Sequence, residues 1–214
     1  VYKRQVYDLP ILLGLLAAQG NIEQQLPDDS VFIGEISLRG ELRPVKGALS
    51  MAMAVQQAGK SKLFLPEGNA EEASLIGNDL TIYAVRHVQQ ILDHLTGKQL
   101  LEPYVPEHLV QDTPDAALDF RDVMGQENVK RAMEIAAAGG HNMLMSGSPG
   151  SGKSMMAKRI GTILPPMTPE EKMDVVRIYS IIGEGSRAAR SQMRPVRAPH
   201  HTTSAAGIAG GGQG

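Results

Sequence analysis

The chain has 214 residues, 42% of them hydrophobic, and a formal charge of −2 from 21 Lys and Arg against 23 Asp and Glu. That length allows one or two domains with a buried core, and so small a net charge points to no partner. Cysteine is absent, which rules out disulfides and thiolate metal sites and fits a reducing, cytoplasmic compartment. In chain order, Lys3 and Arg4 followed by the apolar run Ile11 to Ala18 imitate a secretory leader. However, the chain opens on Val1, Asp8 interrupts the approach, and Pro10 is placed to open a helix that Gly20 closes. We read a buried helix in a chain that begins inside a domain. The run is far short of the roughly 20 apolar residues of a membrane span, so no membrane partner is expected.

Phe32, Gly34, Ile36 and Leu38 alternate with Ile33, Glu35 and Ser37, a period of two that predicts a strand. Arg39 and Gly40 turn it, and Glu41 to Arg43 returns as a short partner. Gly47 to Ala58 is a helix with Leu49, Met53 and Ala54 on one face, stopped by Gly59. Lys62 to Leu65 is a strand, and Asn69 with Glu72 makes a capping box for a small helix ending near Gly77. Thr81 to Val85 is a strand, and Val88, Ile91, Leu92 and Leu95 mark a helix ending at Gly97. Alternating strands and helices predict an α/β domain over residues 1–96. Pro103, Pro106 and Pro114 punctuate 97–118, read as a linker.

A second unit, 119–214, starts with a helix from Glu127 to Ala138 whose Val129, Met133 and Ala137 share a face, ended by Gly139 and Gly140. His141, a loop residue, precedes Met143, Leu144 and Met145, a predicted strand. Gly147, Gly152, Lys153 and Ser154 then complete G-x-x-x-x-G-K-[ST], with Ser148, Pro149, Gly150 and Ser151 between, and Met155, Met156, Ile160 and Ile163 give a helical pattern. This is the strand, glycine loop and helix order of a phosphate cradle. Glycines let backbone N–H groups converge on oxyanions, and the new helix adds unpaired donors and its positive dipole end. Lys153 is placed to reach the terminal phosphates of ATP, and the Ser154 hydroxyl to ligate Mg2+. The methionines here read as core filling.

Thr168, Pro169, Glu170 and Glu171 form a capping box that launches a helix to about Ile182. Past Gly183 the order weakens. Arg187, Arg190, Arg194 and Arg197 occur with no acidic residue between them, so they are either phosphate contacts or a solvated, mobile segment. His200 and His201 adjoin without further ligands, which argues against a metal site. Glu23, Glu35 and Glu41 form no acid pair.

Two stretches carry a resemblance. Phe120-Arg121-Asp122-Val123-Met124-Gly125-Gln126, followed by a helix and the phosphate loop, resembles the opening of an AAA+ ATPase module; the resemblance places Val123, Gly125 and Gln126 beside the adenine. Arg194-Pro195-Val196-Arg197-Ala198-Pro199-His200-His201-Thr202-Thr203-Ser204 is similar to the signature of magnesium-chelatase-like AAA+ proteins of the ComM/YifB type. Residues 7–96, with Tyr7-Asp8-Leu9-Pro10 and Gly34 through Pro44, resemble the Lon-protease-like domain that precedes the ATPase in that family. The implied fold class is α/β, a Lon-protease-like domain followed by the N-terminal part of a P-loop AAA+ domain.

Active Lon-type peptidases use a Ser nucleophile and a Lys base, and the matching positions here are Ile11 and Leu49. Neither side chain attacks a carbonyl or takes a proton, so a structural or interaction domain is expected, although Lys46 lies close to the expected base. The resemblance further implies a DNA-associated, hexameric ring motor. It also implies a Walker B strand with paired acids, a sensor and an arginine finger, none of which occurs by residue 214, so ATP binding without efficient hydrolysis is expected. The alternative is an ATPase subunit of a magnesium chelatase, against which the Lon-like segment argues. An ATP-dependent Lon-like protease is disfavoured by Ile11 and Leu49.

Overall fold

The computed structural model describes residues 5–22, 26–77, 79–106, 118–200 and 202–210. Lys3, Arg4, Glu23, Pro114 and most of the remaining linker, His201 and the last glycines lie outside them. The chain forms two compact units, Val1–Asp112 with Thr168–Ser191, and Thr113–Met167 with Gln192–Gly214. Among the described residues, no helix is long and apolar enough to cross a membrane.

The first unit is built on a parallel three-stranded sheet in the order β1 (Ser30–Phe32), β4 (Lys62–Pro66), β5 (Thr81–Val85). Its register places Phe32 beside Phe64 and Phe64 beside Tyr83. The three rings stack, with centroids 4.7 and 4.5 Å apart. Such stacks add about 0.5–1.5 kcal/mol per pair beyond burial. Helices α2 (Ala48–Gln57) and α3 (Glu67–Ser74) precede and follow β4, and α1 (Asp8–Ala18) and α4 (Val88–Leu95) complete the unit. The sheet and helices match the expected α/β class.

Several local expectations change. The alternation from Phe32 to Leu38 does not form one strand: Gly34 breaks it, and Glu35–Ile36 (β2) pairs antiparallel with Leu42–Arg43 (β3) in a separate ribbon. Helix α1 buries Leu9 and Leu13 but leaves Ile11 and Leu15 more than half exposed, so only one side is core. In α2 the buried set is Ala48, Leu49, Ala52 and Val55, and Ala54 faces solvent. The described start of the linker is packed, with Leu101 and Tyr104 against the core and the Tyr104 N–H donating to Ile82 O at 2.7 Å.

Asn69 is not a helix cap. Helix α3 starts two residues earlier, and the buried Asn69 amide is spent on the β3–α2 connection. The Val45 N–H donates to Asn69 Oδ1 at 2.8 Å, while Asn69 Nδ2 donates to Val45 O at 2.9 Å and Glu72 Oε1 at 2.7 Å. Glu72 is 2% exposed, and its Oε2 and the nearby Ser180 hydroxyl have no hydrogen-bond partner among the described residues.

Burial raises the Glu72 carboxyl above its ordinary value, against the hydrogen bond from Asn69. The folded state therefore holds its proton longer than the unfolded chain. Stability from this group is full below about pH 4.5 and is lost as pH rises through the raised value. Glu72→Gln, whose amide can serve both Asn69 and Ser180, is expected to stabilise the protein by about 1–3 kcal/mol at pH 7. Denaturant melts should show that gain shrinking toward zero at pH 4.

Helices α7 (Pro169–Ile181) and α8 (Gly185–Arg190) belong to the first unit by packing, although the sequence reading keeps them in a continuous 119–214 segment. Leu49, Val176, Ala188 and Ala189 form one buried cluster, and that shared apolar contact is the physical reason. The Thr168 capping box forms as read. Helix α8 is a correction to the expectation of weak order after Gly183: six residues carry too little periodicity to be seen.

The second unit contains α5 (Glu127–Gly139), α6 (Lys153–Arg159) and α9 (Ala205–Ala209). Phe120, Val123, Met133 and Met156 make its buried cluster, flanked by Val129, Met145, Ile160 and Ile163. No strand forms among its described residues, which corrects the reading of Met143 to Met145. That segment meets no ladder partner, Leu144 is 93% exposed, and a strand without a neighbour leaves its N–H and C=O groups to water. The methionines divide: Met156 is core and Met145 packs beside it, while Met143 and Met155 are over a third exposed.

Candidate nucleotide site

The phosphate loop keeps the geometry its glycines permit. Gly150 and Gly152 take φ of +82° and +86°, a left-handed conformation that other residues adopt only at a cost. Gly152 sits at the N-cap of α6 and supplies no side-chain cap. The N–H groups of Gly152, Lys153 and Ser154 consequently meet no acceptor among the described residues. A Cβ on Gly147 would stand 3.1 Å from Ser151 Oγ and 3.9 Å from Lys153 Nζ, inside the loop's concave side.

Lys153 folds over that concavity. Its Nζ donates to Gly147 O and Ser148 O at 2.8 Å each and to Ser151 Oγ at 3.1 Å. These contacts are solvent-exposed, so an incoming anion exchanges for them at little cost. Pro149 and Gly150 form the turn at the tip, and the Ser151 N–H donates to Ser148 O at 3.3 Å. Ser154 is exposed in the first turn of α6. Free amides, one ammonium and one hydroxyl are a donor set that fits a phosphate chain with a hard divalent cation.

The segment that the resemblance places beside the adenine lies against α6 and the turn that follows it. The Phe120 N–H donates to Thr162 Oγ1 at 3.1 Å, and Arg159 Nε donates to Asp119 O at 3.1 Å. Val123 is 1% exposed and packs with Met156 of α6, so its side chain is core. Gly125 and Gln126 are exposed and both left-handed, with φ of +69° and +59°. For Gln126 that conformation costs about 1–2 kcal/mol. Gln126→Gly is expected to raise stability by about 1 kcal/mol in thermal melts, while weakening ATP binding if the amide side chain meets the base.

The four arginines divide between the two units. Arg187 and Arg190 lie in the first unit, Arg194 and Arg197 in the second. Arg190 Nε donates to Glu71 Oε2 at 2.6 Å, Arg187 stands 3.7 Å from Glu184, and Arg194 Nε donates to Pro165 O at 2.8 Å. Glu71 is far away in sequence, so linear charge counting missed it. His200 Nδ1 lies 2.8 Å from Thr202 Oγ1, and no metal-holding group of His, Asp and Glu exists among the described residues.

The peptidase positions are equally clear. Ile11 is exposed, and Leu49 is fully buried beneath α7 and α8. Lys46 lies on the α2 approach, near Gly183.

Residues 119–214 match the family model described as "Magnesium chelatase, subunit ChlI", and residues 3–69 match "Subunit ChlI of Mg-chelatase". The chain is 40% identical over 206 residues to "Uncharacterized protein YifB" of Salmonella typhimurium, covering 96% of this chain and 40% of that protein. It is 36% identical over 209 residues to "Competence protein ComM" of Haemophilus influenzae, covering 96% of this chain and 41% of that one. A Lon protease of Brevibacillus choshinensis is 34% identical over 70 residues, 31% of this chain and 9% of the protease. The chain thus spans about 40% of the length of its long relatives. By these matches across both units, it belongs to the magnesium-chelatase-like AAA+ ATPase proteins of the ComM/YifB family.

Proposed function

We propose that residues 147–154 bind the triphosphate of ATP, as part of an AAA+ module whose complete protein is a ring-forming motor acting on DNA. The observation that carries this is the set of amides at Gly152, Lys153 and Ser154 that meet no acceptor among the described residues, with the Lys153 ammonium held on the same loop. In this reading the loop amides wrap the phosphates, Lys153 neutralises part of their charge, Ser154 holds Mg2+, and Gly125 and Gln126 border the base. Bound Mg2+ supplies charge neutralisation of the phosphate oxygens. Binding without efficient turnover is the behaviour we expect of these residues alone, because phosphoryl transfer also needs a group that orients water and one that offsets transition-state charge.

The DNA reading is supported by the relative named a competence protein and by the arginines at 187–197. Arg187 pairs with Glu184, Arg190 with Glu71, and Arg194 donates to Pro165 O, so in this reading phosphate would exchange for these exposed contacts. Fluorescence-anisotropy titration of the full-length protein with branched and single-stranded DNA tests it. Affinity falling steeply with salt is expected; absent or salt-insensitive binding rejects it. Both family descriptions name a magnesium chelatase, so support of Mg2+ insertion alongside partner subunits would instead establish the second reading. A peptidase role is unsupported by Ile11 and Leu49.

A further inference from the structure

Residues 168–191 lie inside the segment matched as a chelatase subunit, yet they pack as a layer of the first unit. In sequence the excursion starts shortly after the phosphate loop. Helix α6 ends at Arg159, a single turn runs to Thr162, and α7 begins at Pro169. On the return, Arg194 closes the neck, with Nε donating to Pro165 O at 2.8 Å and Nη2 to Pro166 O at 3.3 Å. Lys172 also donates to Ser191 O, tying the ends of the helical hairpin together.

Where the hairpin lands, the contact is built like a core. Leu49 of α2 is fully buried against Val176, Ala188 and Ala189, with Met173 and Tyr179 beside them. At the rim the Ser186 hydroxyl donates to Gly68 O at 2.6 Å, Arg190 Nε to Glu71 Oε2 at 2.6 Å, and the Gly47 N–H to Ser180 O at 2.9 Å. Gly185 sits so close to α3 that a Cβ there would fall 1.8 Å from Glu72 Oε2 and 3.1 Å from the Ser180 Cα. A larger residue there would have to displace the Glu72 carboxylate and crowd the Ser180 backbone.

We propose that the α2–α3 face of the first unit is the anchor for this hairpin, and that its role is to tether the chain running out of the phosphate helix. Leu49, at the position that the Lon-type resemblance gives to the base, lies under the protein's own α7 and α8. The hairpin is held within the first unit, and Arg194 is a positioning residue of the neck within the second. The role given to α6 rests on the nucleotide reading, which the test separates from the tether.

The experiment is hydrogen exchange by mass spectrometry on the intact chain, with and without Mg-ATP. Wild type is compared with Gly185→Val, with the milder pair Ser186→Ala and Arg190→Gln, and with Arg194→Ala. The expected result is at least tenfold faster exchange over residues 153–163 in the seam and neck variants, together with faster exchange in α2 and α3, while β4 and β5 stay protected. Faster exchange confined to α7 and α8, with 153–163 at wild-type rates, overturns the tether. Should Gly185→Val lose protection throughout, the milder pair and Arg194→Ala decide by the same criterion. Protection of 147–156 by Mg-ATP tests the nucleotide reading alone; its failure retires that reading, and the variants without nucleotide still judge the tether.

Discussion

Leu49→Lys is expected to unfold the first unit at room temperature. The substitution restores the residue type that the Lon-type resemblance puts at the base position. In an active peptidase an amine there needs a polar cleft. Here the position is fully buried among Val176, Ala188 and Ala189. Truncating a buried Leu costs about 2–5 kcal/mol, and an unpaired ammonium in apolar surroundings adds several more unless it loses its proton. Against a total stability of about 5–15 kcal/mol, that sum removes most or all of the folded population. Leu49→Met, which keeps the volume, is expected to cost less than about 1.5 kcal/mol. Circular-dichroism melts of both variants measure the difference. A stable Leu49→Lys protein would show that the seam under α7 and α8 opens to water and that this face is not an anchor. No casein hydrolysis is expected from it, because Ile11 supplies no nucleophile.

What the sequence reveals follows from range. The β4 and β5 strands, α4 and α7 are each specified by their own apolar period and end signals: Gly97 after α4, and Thr168 with Glu171 before α7. The glycine loop is equally local, since its φ values depend on Gly150 and Gly152 themselves. Readings failed where a distant partner decides. Asn69 and Glu72 have the spacing of a capping box, but the backbone of Val45, 24 residues away, claims the amide. Leu49 and Ala188 carry no sign in the linear pattern that they share a core. The arginines read as an unopposed basic run because Glu71 is 119 residues from Arg190. Met143 to Met145 has strand composition, yet a strand needs a neighbour to pair with, and the described residues of its unit provide none.

Lys153→Ala is expected to weaken ATP binding by about 10- to 100-fold, the loss of one charge-assisted contact of about 1.5–3 kcal/mol. Its present partners, Gly147 O, Ser148 O and Ser151 Oγ, are exposed, so the variant should melt within about 0.5 kcal/mol of wild type. That pairing of a large binding effect with a small stability effect distinguishes a ligand contact from a brace for the loop. A brace would show the reverse, with lower stability and an affinity loss that recovers once the loop is folded by cooling or osmolyte. Lys153→Arg separates charge from shape: it keeps the cation but lengthens and flattens it, so only part of the affinity should return. Calorimetric titration with a non-hydrolysable ATP analogue and Mg2+ provides the measurement, because turnover then cannot distort it. Adding chelator should lower wild-type affinity through Ser154, and Ser154→Ala should lose most of that metal dependence while Lys153→Ala keeps it. An unchanged affinity for Lys153→Ala would mean that the free amides of Gly152, Lys153 and Ser154 do not face a triphosphate, and the ATPase reading of this loop would fail with it.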